Sequence, residues 1–570
     1  MEKRWVQIQN DHHEKVDLLS ANLKIDPSLS KVLINRGIDN PEKASAFFTP
    51  SLGSLHDPFL MMDMDKAVDR IINAIRSNEK ILIYGDYDVD GTTAVTLVFS
   101  FLKELTNEIE YYIPDRHSEG YGISNKGVGY AATNNFSLII ALDCGIKSID
   151  KVDYATSFNI DFIICDHHNP GDSIPNAIAV LDPKRIDCSY PFKELSGCGI
   201  GFKLAQALSI KLNLPETSYL KFLDLAMVSI AADMVSITDE NRILAWHGLH
   251  KLNDSPSSGL LSLIKVSGRP LPYSISDVVF QLAPRINAAG RMGHAKMAVK
   301  MLLCECDVEG LNHSESINSS NQERKASDQE ITLEALAQLK LDHQNDFKKT
   351  SVVFKSTWHK GVIGIVASRL TETYFRPTIV FTESNGVLTG SARSVPEFDL
   401  YEALISCQDT LIQFGGHKFA AGLTLEKENL ELFKNKFEEI VASRIKAEQL
   451  IPEIKIDDQL SLNQINLKFW KILSRMAPFG PDNMAPIFSN SSAQIIGKPQ
   501  LLGDKHLKFW ISENGSPLFE CIAFGQYDDA KILESNNFSI AFSIEEKVWK
   551  EKKSLQLNIK AIKSNEDFPS

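Results

Sequence analysis

Ile81-Leu82-Ile83-Tyr84-Gly85-Asp86-Tyr87-Asp88-Val89-Asp90-Gly91 joins a short apolar run directly to three alternating acids. A run of strand length with no polar residue reads as buried on both faces, as in a parallel sheet. Thr92–Leu105 follows with apolar residues at helical spacing, as a crossover helix requires. Leu138–Leu142, Phe162–Cys165 and Ile178–Leu181 repeat the apolar run, with polar or helical sequence between them. This alternation predicts a doubly wound α/β domain with a parallel sheet. A further stretch, Tyr219–Ile237, is apolar on most sides and reads as a buried helix.

The first three runs each end in metal-type ligands. After the first come Asp86, Asp88 and Asp90; after the second, Asp143-Cys144-Gly145; after the third, Asp166-His167-His168. Ligands bind at the carboxyl ends of the strands in an open parallel sheet, so these residues are expected to converge. Carboxylates with imidazole suit Mn²⁺ or Mg²⁺ better than zinc held by thiolates. A calcium loop also begins Asp-x-Asp-x-Asp-Gly, but it follows a helix and needs an acid at position twelve, where Leu97 stands. A solvated acidic turn gives no reason for a buried strand to end in mutually repelling carboxylates unless a cation lies between them. Asp11-His12-His13 serves as a control: it follows polar residues and reads as surface. Asp233, within Ala231-Ala232-Asp233-Met234, is a lone acid in an apolar helix. It is either an interior hydrogen-bonding residue or a ligand.

Composition sets wider bounds. The 570 residues are 43% hydrophobic and 23% charged, proportions of an ordinary folded protein of three or four domains. Eight cysteines include no Cys-x-x-Cys pair, which leaves zinc ribbons, thioredoxin-type sites and disulfide scaffolds unsupported and fits a reducing compartment. Cys304 and Cys306 read as buried packing. The N-terminus lacks an apolar signal core and no apolar stretch reaches membrane-spanning length, so a cytoplasmic protein with no membrane contact is expected. The net charge of −13 argues against simple electrostatic binding of nucleic acid. Residues 1–350 carry 35 Lys and Arg against 46 Asp and Glu, whereas the remainder carries 25 against 27. Bound cations could offset clustered acids in the first part, and a solubilising acidic surface explains most of the excess equally well.

Further along, residues 305–345 read as a long solvated helix bridging two domains, with Asn318, Asn321, Glu323, Arg324 and Lys325 in a polar helical pattern. Apolar strands return at Val352–Phe354 and Thr378–Phe381, followed by glycine-rich turns and an amphipathic helix near Leu430–Ile445. From about residue 453, short alternating strands such as Leu507–Ile511 and Ser554–Ile562 predict a small β-barrel. Lys505, His506, Lys508, Phe509, Trp510, Lys547, Trp549 and Lys550 alternate cations with aromatics there, as single-strand binding by stacking requires. Core aromatics are the competing reading, and at least half must be core.

Beyond the three acidic motifs the chain carries Ile113-Pro114-Asp115-Arg116 with Glu119-Gly120-Tyr121-Gly122, and Ala283-Pro284-Arg285-Ile286-Asn287-Ala288-Ala289-Gly290-Arg291-Met292. Trp358-His359-Lys360-Gly361-Val362-Ile363-Gly364, Ser391-Ala392-Arg393-Ser394 and Gly415-Gly416-His417-Lys418 follow. In this order, over nearly the whole length, they resemble the DHH phosphoesterase family in its single-strand exonuclease branch. The resemblance implies an N-terminal extension (1–50), a DHH catalytic domain (51–304), a connecting helix (305–347), a second α/β DHH-associated domain (348–450) and a C-terminal OB-fold (451–570). It also implies Asp90, Asp143, His167 and Asp233 around one metal, Asp88 and Asp143 around a second, and Asp86 as a possible additional ligand.

Two ions about 3.5–4 Å apart would clamp a phosphodiester, and Asp143, alone on the central strand, is the choice for the bridging carboxylate. His168 is better placed for the scissile phosphate or the leaving oxygen. Ser391, Arg393 and the Gly415-Gly416-His417 turn suit phosphate contact. Arg116, Arg285, Arg291 and His359 are further candidates for gripping the backbone or a 5′ phosphate, although each arginine could equally be structural. The expected activity is 5′→3′ degradation of single-stranded DNA to mononucleotides in repair and recombination, with polarity and DNA preference taken from the resemblance. A single-strand-binding protein and a helicase are the expected partners of a monomer. A phosphodiesterase for short or cyclic oligonucleotides is the alternative within the same chemistry. A catalytically silent single-strand-binding scaffold is the alternative outside it, although every expected ligand is present.

Overall fold

The apolar run before Asp86 is strand β1 (Ile81–Gly85), buried at every residue. Beside it lie β2 (Ile109–Tyr112), β3 (Leu138–Leu142), β4 (Asp161–Cys165) and β5 (Ala179–Leu181), in the order β2-β1-β3-β4-β5 and all parallel. The edge strand β2 is partly exposed and alternates less cleanly, so it has no counterpart among the apolar runs. Pairing aligns Gly85 with Leu142, Leu142 with Cys165 and Cys165 with Leu181. The next residue of each strand is an aspartate. Asp86, Asp143, Asp166 and Asp182 therefore stand in a row along one sheet edge.

This sheet belongs to one of two compact units, comprising Trp5–Ala283, Leu302–Glu305 and Glu453–Ser570. The computed structural model describes residues 3–8, 12–116, 118–342, 347–503, 505–549 and 552–565. Helix α1 (Val89–Lys103) begins earlier than its apolar pattern, because Asp88 caps it by accepting from Gly91 N and the acidic motif itself forms the first turn. Helices α2 (Gly197–Lys211) and α3 (Leu223–Asp233) are largely buried. Tyr219–Ile237 is not one helix as expected. A short turn, Thr217–Leu220, precedes α3, and α3 stops where Met234 takes a left-handed φ of 56°. Asp233 is thus the last residue of α3, its side chain partly exposed at the helix end. Helix α4 (Asp239–Asp254) carries Glu240, wholly buried against Lys203 of α2 at 2.9 Å.

Among the described residues, eight strands between Asp458 and Ser564 form the C-terminal sheet, built around the long antiparallel pair Phe538–Trp549 and Lys552–Ser564. In the strand His506–Ser512 the period of two turns Leu507, Phe509 and Ile511 inward and leaves His506, Lys508 and Trp510 partly exposed. Phe509 is accordingly core, a correction to its reading as a candidate DNA-facing aromatic. The side chain of Trp549, and Lys550 altogether, lie outside the described residues. The same core contains Leu29, Val32 and Leu33 packed with Phe469, Phe488 and Phe509. Residues 12–48, expected as part of an extension, share the interior of the C-terminal sheet, and Lys31 pairs with Asp458 at 2.7 Å. His12 and His13 are exposed, while Asp11 lies outside the described residues.

The other unit comprises Met1–Arg4, Pro284–Met301 and Cys306–Pro452. Pro284–Met301 packs here, earlier than the boundary expected at 304. Helix α5 (Asp307–Leu341) buries Ser314, Ile317, Asn321, Arg324, Asp328 and Ile331 in one stripe, so it is not solvated all round as expected. Much of the stripe is polar: Asp328 Oδ2 accepts from Arg369 Nη2 at 2.8 Å, and Asn321 Oδ1 from Arg324 Nη2 at 2.7 Å. Strands β6 (Ser351–Phe354), β7 (Thr378–Ser384), β8 (Val387–Arg393), β9 (Gln413–His417) and β10 (Ala420–Leu425) form a sheet in the order β9-β10-β8-β7-β6. Cys306 is exposed and Cys304 half-buried, which corrects their reading as buried packing. Among the described residues no helix is long and apolar enough to cross a membrane.

Candidate active site

Asp143 leaves β3 with a left-handed φ of 58°, only 2% exposed. Its Oδ1 lies 3.2 Å from His167 Nε2, which in turn stands 3.7 Å from Asp90 Oδ2 and 3.6 Å from Asp233 Oδ2. Asp90 is gripped from two helices: it accepts from Gly197 N and Cys198 N at the start of α2, each at 2.7 Å, and from Ser229 Oγ of α3 at 2.7 Å. A helix N-terminus offers orphan N–H groups and favours negative charge, so α2 fixes this carboxylate without a side-chain cation. Asp88 caps α1 from the same turn. Asp86 is fully buried, and its Oδ1 accepts from Gly122 N at 3.4 Å.

The electrostatics point to an added positive charge. Burial raises Asp143 well above the usual carboxylate range, and Asp90, Asp88 and Asp233 push the same way. Burial and Asp88 raise Asp86, while burial and Asp90 raise Asp88. Asp233 is also raised, by loss of water and by Asp90 and Asp88. Burial lowers His167, which keeps it as the neutral imidazole that binds metals. Asp86 Oδ2, Asp143 Oδ1 and both ring nitrogens of His167 are buried without a hydrogen-bond partner among the described residues. Such orphans are costly inside a protein. Oxygen donors with one imidazole are the set that hard divalent cations take, so these residues fit Mn²⁺ or Mg²⁺.

Asp166 and His168 take other parts. Asp166 accepts from Ile146 N, His167 N, His168 N and His168 Nδ1, so it organises the motif. Although burial opposes its charge, these bonds, led by that of His168, hold it down at about 2. Burial likewise works against the charged form of His168, but the bond to Asp166 at 2.7 Å and its charge hold the imidazole at about 9. His168 Nε2 meets the Tyr121 hydroxyl at 3.0 Å. Tyr121 packs edge-on to Tyr87, and the Arg116 guanidinium lies over the Tyr87 ring at 4.8 Å.

In the other unit, sheet register gathers a second set. Ser391 pairs with Gly422 and Gly422 with Gly415, while Arg393 pairs with Ala420 and Ala420 with His417. Arg393 Nη1 donates to Ser391 Oγ at 3.1 Å. Gly415-Gly416-His417 lies within β9 and is not the turn expected, and a Cβ at Gly416 would meet Ala420 O at 2.3 Å. Gly364, at the start of helix α6 (Ile363–Tyr374), leaves room for Ser391 and Arg393; a Cβ there would come 3.0 Å from Ser391 Oγ. His359 Nδ1 accepts from Gly361 N, and Arg291 Nη1 donates to Gly361 O, each at 3.1 Å. Arg285 is buried, its Nε donating to Asn318 Oδ1 of α5 at 3.0 Å.

Residues 80–230 match the DHH family, N-terminal domain; residues 347–443 match the DHHA1 domain; residues 456–561 match the RecJ OB domain. The single-stranded-DNA-specific exonuclease RecJ of Bacillus subtilis is 37% identical over 562 residues, 98% of this chain and 70% of that one. The chain belongs to the RecJ family. RecJ of Escherichia coli, also named a single-stranded-DNA-specific exonuclease, is 31% identical over 97% of this chain and 98% of its own. The crystal structure of Thermus thermophilus RecJ in complex with Mn²⁺ superposes with a TM-score of 0.85 at 26% identity, covering 98% of this chain and 79% of that one. Within this RecJ-family chain, residue patterns alone missed Tyr121, Ser229, Asp182 and the amides of Gly197 and Cys198. Ser196-Gly197-Cys198-Gly199 before an apolar helix was the available signal for the last two, because a Ser N-cap with small residues opens a helix end to an anion.

Proposed function

We propose that this protein is a single-stranded-DNA-specific exonuclease that removes mononucleotides 5′→3′ by hydrolysing phosphodiester bonds with two divalent cations, Mn²⁺ or Mg²⁺. One observation carries the reading: Asp86, Asp143 and His167 bring to one sheet edge buried donor atoms that have no hydrogen-bond partner among the described residues. Family membership and the activity for which the relatives are named support the substrate.

Asp90, Asp143, His167 and Asp233 would hold one ion and Asp88 with Asp143 the other, with Asp86 in reserve. When bound, such ions lower the pKa of an attacking water and stabilise the leaving oxygen. The chain does the rest. The amides of Gly197 and Cys198 and the Ser229 hydroxyl hold the Asp90 carboxylate in place and aimed. Protonated His168, fixed through Nδ1 by Asp166, presents Nε2–H as a donor to a non-bridging phosphate oxygen or the leaving oxygen. Ser391, Arg393, Gly415, Gly416 and His417, with Arg291 and His359, would grip phosphates of the strand. Arg116 is a further contact, while Arg285 primarily fixes α5. Trp510 and Lys508, whose ammonium lies 4.9 Å from the Trp510 ring, offer a stacking surface on the C-terminal sheet. The protein would act as a cytoplasmic monomer in repair and recombination, fed by a helicase and a single-strand-binding protein. Incubating 5′- and 3′-labelled single strands, duplex and RNA with Mn²⁺ or chelator tests this. Mononucleotides released first from the labelled 5′ end of single-stranded DNA, and only with metal, are expected. Cleavage in chelator, or attack from the 3′ end, would overturn it.

A further inference from the structure

Two guanidiniums on the wall of one cavity lack the carboxylates that buried arginines ordinarily take. The cavity, of about 570 Å³, is lined by Arg36, Phe47, Phe192, Ile237 and Arg242 among others. Arg242 is 4% exposed, its guanidinium 3.7 Å from the Phe47 ring centre, and it donates only to carbonyls: those of Phe47, Met476 and Ala477. Arg36 donates to Asn483 Oδ1 and Met484 O. A guanidinium carries five N–H donors, so Arg36 keeps others without a protein partner among the described residues. No carboxylate among those residues lies within ion-pair distance of either arginine. Of the other charges on the wall, Lys43 pairs with Asp39 at 2.8 Å. Asp239, 2.9 Å from His56 Nε2, and Asp482 are the wall carboxylates set against two arginines, and Asp457 acts on Arg36 from off the wall. Burial lowers Arg36 to about 10 and Arg242 to about 9, the sign of charge poorly served by its surroundings.

We propose that this cavity binds a small organic phosphate, with the phosphate on Arg36 and Arg242 and an aromatic or apolar body against Phe47, Phe192 and Ile237. The volume falls in the range of small-molecule sites, and mostly apolar walls with a few fixed polar groups are their usual make-up. Arginine suits a phosphate through its N–H donors; Arg36, with two of five engaged, supplies them, while Arg242, with four engaged, contributes mainly charge. The cavity shares no residue with the carboxylate cluster, so the inference stands or falls apart from the nuclease reading.

The test is calorimetric titration of the full chain, in chelator, with dAMP, deoxyadenosine and inorganic phosphate. Arg36→Gln removes one donor group; Ala46→Trp fills the cavity from an exposed wall position and spares the buried Arg242. Melting curves establish that each variant is folded. Expected is one dAMP site, weakened about tenfold or more by each variant, with deoxyadenosine and phosphate both binding more weakly than dAMP. Unchanged dAMP affinity in both variants overturns the site. Phosphate binding as tightly as dAMP overturns the organic class. Loss of the site in Asp143→Asn, with both cavity variants unaffected, assigns the binding to the carboxylate cluster and overturns it as well.

Discussion

Gly197→Ala tests whether α2 and β3 are fitted to each other as closely as the site requires. A Cβ at this position would stand 2.6 Å from Asp143 Cβ, 2.9 Å from its Oδ1 and 3.0 Å from its Cα. Ordinary carbon contacts begin near 3.5 Å, so a shift approaching ~1 Å is unavoidable. Asp143 cannot absorb it easily, being held by β-sheet pairing on one side and a left-handed backbone on the other. Either α2 retreats, drawing Gly197 N and Cys198 N away from Asp90, or the Asp143 carboxylate swings from His167. Overpacking of this kind costs about 1–3 kcal/mol, and a displacement of ~1 Å at a reacting centre costs about 100-fold in rate. Urea unfolding with single-strand cleavage in Mn²⁺ measures both, and fluorescence anisotropy checks that DNA affinity holds within about twofold. Gly199→Ala is the control, since its Cβ would come no closer than 3.3 Å to Ser196 Oγ. A folded Gly197→Ala protein that cleaves within about twofold of the parent rate would refute the reasoning.

Asp143→Ala should abolish metal-dependent cleavage with single-strand binding largely intact; retained turnover would remove Asp143 from the metal site. Lys203→Met leaves Glu240 buried with only Tyr190 and the His56 amide as partners, and about 3–5 kcal/mol of stability should go; chemical denaturation reads this, and a loss under ~1 kcal/mol contradicts it. The outward and inward faces of one strand should separate cleanly. Trp510→Ala is expected to weaken binding to long strands by about 1–3 kcal/mol per stacked base with little change in melting, whereas Phe509→Ala should cost about 3–5 kcal/mol of stability. Matching effects from the two would mean that Trp510 makes no contact with DNA.

The catalytic sheet was legible because its strands are buried on both faces, and an acid directly after such a run has few structural reasons to be there. β2 was not, since an edge strand keeps polar residues. The two-residue period exposes Lys508 and Trp510 and hides Phe509, yet the cation–aromatic pattern alone could not separate the faces. The buried stripe of α5 escaped for a related reason: Asn321, Arg324 and Asp328 look solvent-facing until Arg369, distant in sequence, supplies a partner. Asp233 joins the cluster, but from a different position than its neighbours suggest. Apolar neighbours imply an interior, but the backbone turn at Met234 ends the helix there and leaves the acid at the exposed margin of the cluster. Nothing in the sequence could show Ser229 reaching Asp90, because that contact depends on how α3 lies against α2.

Lys31 and Asp458 meet across 427 residues of chain, and the apolar faces around Leu29 and Leu33 complete their packing only once the C-terminal sheet is present. During synthesis, therefore, the first helices leave the ribosome long before the strands that cover them exist. Until then they present a sticky surface that chaperones must shield, and a nascent chain stalled late should aggregate through its earliest segment.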